Sequence, residues 1–319
     1  MTCTREGLTA TLPSHLQLYR RMWMLRLLDM ALEELHIEGL ISQPVPVAFG
    51  QEAVGVGATA ALVEGDVAIT THRPQAPHVG LGSRLGPLIA EMMGRCGGGH
   101  DAVDSPRVLE QPPLLAIGHG YTQWLDDNGR ITLCVTEDGD VDSASFNDAA
   151  NVAVVWQLPV VILVENIRPA LSARPDGYVP DTQLYRKAAY YGMPGVSVDG
   201  NDVEAVRDCV ALAVERARAG GGPTLVQAIT YRTIDFDESQ RGGYHDPVGS
   251  ARFLDPLVFA RRRLIAGGAS QVRLDQVEEA ARREVSEAVA YAKARPPRLD
   301  SGELSQTAGE ADGQAETRF

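Results

Sequence analysis

An α/β fold is predicted for this chain: a doubly wound, mostly parallel sheet flanked by helices, with helical extensions at both ends. Three observations predict it. Continuous apolar runs of strand length occur at Val67–Thr71, 131–136, 160–165 and 224–230. Between the last three lie stretches of helical length, so strands alternate with helices as parallel crossover units require. Apolar residues at helical spacing (Leu18, Met22, Leu25, Leu28, Leu32 and Leu35 near the start, Leu274, Val277, Ala281, Val285, Ala288 and Ala292 near the end) mark the two extensions.

In chain order, the first helix stops at Gly39. Residues 51–62 are rich in Ala, Gly and Val, as suits a helix packed closely on a neighbour. Residues 94–113 hold Gly, Pro and Asp without period and read as loop. After the strand at 131–136 come a helix over 142–156, the strand at 160–165 and a short strand at Val196–Val198. A helix over 203–219 and the strand at 224–230 follow. The last helix stops at Pro296 and Pro297. The predicted organisation is an arm over 1–15, one domain over 16–295 and a disordered acidic tail over 296–319. Residues 300–319 carry almost no large apolar group. Their burial could not offset an ordering cost of about 1–2 kcal/mol per residue. Truncation after Asp300 is therefore expected to leave the melting temperature unchanged, and a clear drop would show that the tail docks.

Composition excludes several classes. The chain has 319 residues and a formal charge of −13, which argues against nucleic acid and anionic membranes as partners. No apolar run approaches the ~18 residues of a membrane span, and no signal peptide is visible. Cys3, Cys96, Cys134 and Cys209 lack metal or disulfide spacing and suit a reducing cytoplasm, with Cys134 and Cys209 as core. Arg261, Arg262 and Arg263 read as a solvated helix face. Asp138, Asp140 and Asp142 alternate as calcium ligands do, but the Gly and distal Glu of such a loop are missing. His245 reads as a turn residue. Gln51 and Glu52 open a helix and read as packing and capping residues.

The motifs in sequence resemble the alpha subunit of the thiamine-diphosphate-dependent dehydrogenase component of 2-oxo acid dehydrogenase complexes (pyruvate, branched-chain, acetoin). The matching segments are 19–26, Gly50-Gln51-Glu52-Ala53, Thr70–Arg73, Glu137-Asp138-Gly139, 151–159, Glu165-Asn166, 198–202, and 222–226 with Thr230–Arg232. They run in family order over about residues 16–295. The resemblance implies a thiamine-diphosphate-binding fold, the diphosphate held by Arg73, His72, Gly139 and Asn166, and magnesium held by Asp138. It also implies a beta-type subunit in an α2β2 assembly, a lipoyl acyltransferase as a further partner and a small-molecule substrate.

The chain departs from that pattern at named positions. Glu137 stands where the family has a Gly, and Ile167 where it has a second metal-binding Asn. Pro46, Ile234 and Phe236 stand at family histidines, and His100 is the remnant of a shortened Ser-Met-His loop. Asp138 reads as a metal ligand or as a helix cap, Arg73 as an anion ligand or as a structural ion pair, and His72 and His100 as ligands or as loop residues. Three functional readings stay open: an alpha-type subunit that decarboxylates a 2-oxo acid, a non-catalytic scaffold for a beta-like partner with a degenerate active site, and a thiamine-independent enzyme built on Glu137, His72 and Asp235.

Overall fold

The computed structural model describes residues 12–70, 73, 75–96, 107–110, 113–168, 183–231 and 255–297. Helix α1 (Leu12–Ile37) opens the chain, followed by α2 (Glu52–Thr59), β1 (Val67–Thr70), α3 (Gln75–Leu81), α4 (Leu85–Met92) and β2 (Arg107–Glu110). Then come α5 (Pro113–Asp126), β3 (Thr132–Glu137), α6 (Ala144–Val155), β4 (Val160–Arg168), α7 (Ala188–Tyr191) and β5 (Gly195–Asp199). The last elements are α8 (Val203–Arg218), β6 (Thr224–Tyr231), α9 (Pro256–Ala266) and α10 (Gln271–Lys293).

The six strands form one parallel sheet in the order β2-β1-β3-β4-β6-β5. The predicted fold class is thus the observed one. Leu133, Val135, Val161, Leu163 and Val226 pack on one side with α8, while Cys134, Val160, Ile162 and Val164 pack on the other with α6. Burial on both faces is why these strands read as unbroken apolar runs.

Helix ends follow local chemistry. Ser143 caps α6 by accepting from the Phe146 N–H at 3.1 Å, and Asp202 caps α8 by accepting from Glu204 and Ala205. Beyond α1, Gly39 adopts φ +74°, the left-handed turn that ends a helix. The close packing expected of α2 is present: a Cβ at Gly57 would lie 2.7 Å from the Val203 carbonyl oxygen, and one at Gly55 2.7 Å from Ala76 Cβ.

One expectation changes. Residues 107–110, read as loop, form edge strand β2 against β1. The apolar stripe of α1 faces its own chain, packing with α4, α9 and α10 in a third core. Arg262 and Arg263 are exposed and Arg261 is partly so, in line with a solvated face, on which Arg261 pairs with Asp275 and Glu278, and Arg263 with Asp202 and Glu204. Cys134 and Cys209 are buried as expected, and burial pushes the Cys134 thiol up to about 12. Among the described residues no helix is long and apolar enough to cross a membrane. The tail from residue 298 onward, Cys3 and His245 lie outside the described residues.

Candidate active site at the sheet switch point

In an open parallel sheet, ligands bind beyond the carboxyl ends of the strands where the winding direction reverses. Here β1 leads outward to β2, and the chain returns to place β3 on the other side of β1. The switch point lies between β1 and β3. Thr70 ends β1 and Glu137 ends β3, so Arg73, just beyond β1, meets Glu137 at the switch point.

Arg73 is its centre. It is 6% exposed and adopts φ +55°, a left-handed conformation that a non-glycine residue keeps only when its surroundings hold it. Three acceptors do so. Nη1 donates to Gln51 Oε1 and, at 3.2 Å, to Glu165 Oε2; Nη2 donates to Glu137 Oε1 at 2.8 Å. Glu137 and Glu165 are register partners on β3 and β4, which places both carboxylates on neighbouring strands near the same end of the sheet. One guanidinium therefore holds two carboxylates, a charge-assisted arrangement about twice as strong per hydrogen bond as a neutral one.

The other motif residues lie at the same end of β3 and β4. Asp138, partly exposed, begins the single 3-10 turn Asp138–Asp140 that follows β3. Thr136 Oγ1 donates to Asp140 at 2.6 Å. Gly139 is exposed, and a Cβ there would meet nothing within 4 Å. Asn166 is 1% exposed, and its Nδ2 finds no hydrogen-bond partner among the described residues; the same is true of Arg73 Nε. The structure therefore brings Arg73, Asp138, Gly139 and Asn166 to the ends of the three central strands. His72, His100, Ile234, Phe236 and Asp235 lie outside the described residues.

Behind the crevice runs a buried polar layer on α1, α2 and the segment before α2. Asp29 accepts from the Ala48 N–H at 2.6 Å and from Gln75 Nε2 at 3.2 Å, and Gln75 also donates to the Pro46 carbonyl. Burial, reinforced by the nearby Glu52 charge, pushes the Asp29 carboxyl up to about 7 against the pull of those donors and of Arg73. Glu52, fully buried, accepts from Arg26 Nε and from the Gly50 N–H at 3.1 Å. Burial raises its carboxyl and Arg26 opposes the rise. These contacts fix the Pro46–Gln51 segment that delivers Gln51 to Arg73. Gln51 does not cap α2 with its side chain, contrary to expectation; it is part of the crevice. Glu165 also belongs there. Its signal in the sequence is a charge directly after the apolar run Val160–Val164.

Arg73 Nε and Asn166 Nδ2 are buried donors of the kind an anionic oxygen satisfies. Asp138 offers one hard oxygen to a magnesium ion, which favours octahedral oxygen coordination. Ile167 offers no side-chain oxygen, and Glu137 is turned into Arg73. The residues present fit a diphosphate and one corner of its metal.

Residues 19–299 match the family described as dehydrogenase E1 component. The alpha subunit of acetoin:2,6-dichlorophenolindophenol oxidoreductase from Bacillus subtilis is 29% identical over 93% of this chain and 94% of its own length. The pyruvate dehydrogenase E1 component alpha subunits of Rhizobium meliloti and Zymomonas mobilis are 29% and 30% identical, each over 88% of this chain and over 86% and 84% of their own lengths.

Proposed function

This chain belongs to the dehydrogenase E1 component family, and on that premise we propose that it is the alpha-type subunit of a heteromeric, thiamine-diphosphate-dependent enzyme that decarboxylates a 2-oxo acid and passes on the acyl or aldehyde unit. The observation that carries the reading is the placement of Arg73 and the Glu137–Gly139 motif at the switch point between β1 and β3, with Asn166 at the same end of the neighbouring strand β4, in a chain of which residues 19–299 match the family. Arg73 would hold the diphosphate and Asp138 one coordination position of magnesium. When bound, the cofactor supplies the carbanion that attacks the 2-oxo carbon, and the protein supplies orientation and electrostatics. The chain's own part is to orient: Gln51 and Glu165 aim the guanidinium, and the layer of Asp29, Gln75 and Glu52 keeps the Pro46–Gln51 wall in place.

A protein partner is part of this reading. Tyr121 and Trp124 on α5 and Trp156 after α6 pack on one another with ring centroids 5.5–5.8 Å apart. Trp124, Leu125, Val152, Val155 and Trp156 beside them are exposed. Clustered Trp and Tyr with apolar neighbours are what stable protein interfaces are made of. The α1 stripe, buried internally, is not that surface.

Co-expression with a beta-type subunit should yield a complex in size-exclusion chromatography. That complex should reduce 2,6-dichlorophenolindophenol with a 2-oxo acid or acetoin only when thiamine diphosphate and magnesium are added. Turnover that persists without the cofactor, or a monomer unchanged by the beta-type subunit, would contradict the proposal. The alternative reading, a scaffold without catalysis, draws on Ile167 and on the Glu137–Arg73 ion pair.

A further inference from the structure

We infer that Glu137 is a built-in counter-ion for Arg73, standing where the anionic group of a ligand would bind, and that this residue sets how strongly the cleft takes a diphosphate or similar dianion. The inference rests on the proposed function for the identity of the ligand, but not for the ion pair. Its first ground is access. The Arg73 side chain is 7% exposed and Glu165 11%, whereas Glu137 is 28% exposed. Gln51 and Glu165 hold the guanidinium from within, and Glu137 covers it from the solvent side. An incoming anion meets the Glu137 carboxylate first.

The second ground is charge. Glu165 and Glu137 both accept from one guanidinium, so Glu137 is the second carboxylate on Arg73. An anion that takes Nη2 has to displace the Glu137 carboxylate. The third ground is donor supply. Nη2 is held by Glu137, while Arg73 Nε remains without a partner among the described residues. Release of Nη2 would add a second donor beside that uncompensated one. The backbone at Glu137 is extended, φ −95° and ψ 164°, a conformation open to any residue, so nothing local requires a carboxylate.

The test is calorimetry of inorganic pyrophosphate against the full chain purified with its beta-type partner, with and without magnesium. Glu137→Gln removes the charge and keeps an acceptor for Arg73, and Glu165 keeps the arginine paired, so the fold should survive. Affinity should rise roughly ten- to a hundredfold, the worth of one charge-assisted contact. In the Glu137→Gln, Arg73→Lys double variant, which keeps the positive charge but loses the fork, most of that gain should disappear. A ligand-induced rise in melting temperature, larger in Glu137→Gln than in the parent, gives an independent readout. Equal pyrophosphate affinity in parent and Glu137→Gln would overturn the inference. Tighter pyrophosphate binding in a complex that ignores thiamine diphosphate would uphold the inference and remove the thiamine reading. Thiamine diphosphate binding that Glu137→Gln leaves unchanged would do the reverse.

Discussion

Arg26→Ala is expected to cost about 3–5 kcal/mol of folding stability, the loss typical when one partner of a buried ion pair is removed. Arg26 lies on α1 and binds two carboxylates from distant parts of the chain, Glu52 on α2 and Asp255 ahead of α9, the latter at 3.2 Å. Burial works against its charge, and Glu52 and Asp255 outweigh burial and hold the guanidinium above its usual range. The loss falls mainly on Glu52, which is fully buried and would keep backbone donors alone, the Gly50 N–H and its own. Urea unfolding of the single and paired variants separates the contributions. Arg26→Met with Glu52→Gln should recover part of the loss, because the fully buried carboxylate is no longer left uncompensated, while Asp255 keeps the Leu257 N–H as its donor. A loss below about 1 kcal/mol in Arg26→Ala, the level of an exposed pair, would show that water reaches both partners.

Asp29→Asn should stabilise the chain at alkaline pH and remove a pH dependence. The Asp29 carboxyl keeps its proton to about pH 7 in the folded chain, while an unfolded Asp loses it near 4. Below the unfolded value both states are protonated and the residue costs nothing. Between the two values the folded state binds more protons than the unfolded one, so stability falls as pH rises. Above about pH 7 the full penalty applies, on the order of 4 kcal/mol. An asparagine escapes it. Its oxygen can still accept from Ala48, and its amide can donate to Gln75 Oε1, which has no partner among the described residues. Chemical denaturation at about pH 5 and about pH 8 should show a clearly larger gain for the variant at the higher pH, because at about pH 5 only part of the penalty applies. An equal effect at both values would mean that the residue acts by packing, not by titration.

These two residues show what periodicity hides. The stripe Leu18 to Leu35 was legible as a helix face, but periodicity says only that a face is covered, not by what. The cover is α10, from the far end of the chain. Arg26 and Asp29 sit on that helix and meet α2 and the segment before it, contacts that no local pattern encodes. The sheet was legible in β3, β4 and β6 because both of their faces are buried. The four-residue edge strand β2, with Arg107 and Glu110 at its ends, lacks that signature.

At the site, Arg73, Asp138 and Asn166 were legible as motif positions, and the crevice follows from the strand order. The pairing of Arg73 with Glu137 was not. It spans 64 residues and depends on β1 and β3 lying side by side, Thr70 opposite Val135. The sequence placed Glu137 at a glycine of the family; only the structure shows which cation it occupies.

The most direct measurement is calorimetric titration of thiamine diphosphate with magnesium into the complex of this chain and a beta-type subunit. The parent and the Glu137→Gly, Ile167→Asn double variant should be compared. The double variant frees Arg73 from its outer carboxylate and adds a side-chain oxygen beside Asp138. Each change is worth roughly 1.5–3 kcal/mol, so affinity should rise some hundred- to ten-thousandfold from a weak starting value. If the parent complex already binds the cofactor at micromolar concentration or better, and the double variant no tighter, then Glu137 and Ile167 are working members of the site and neither weakens its hold on the diphosphate.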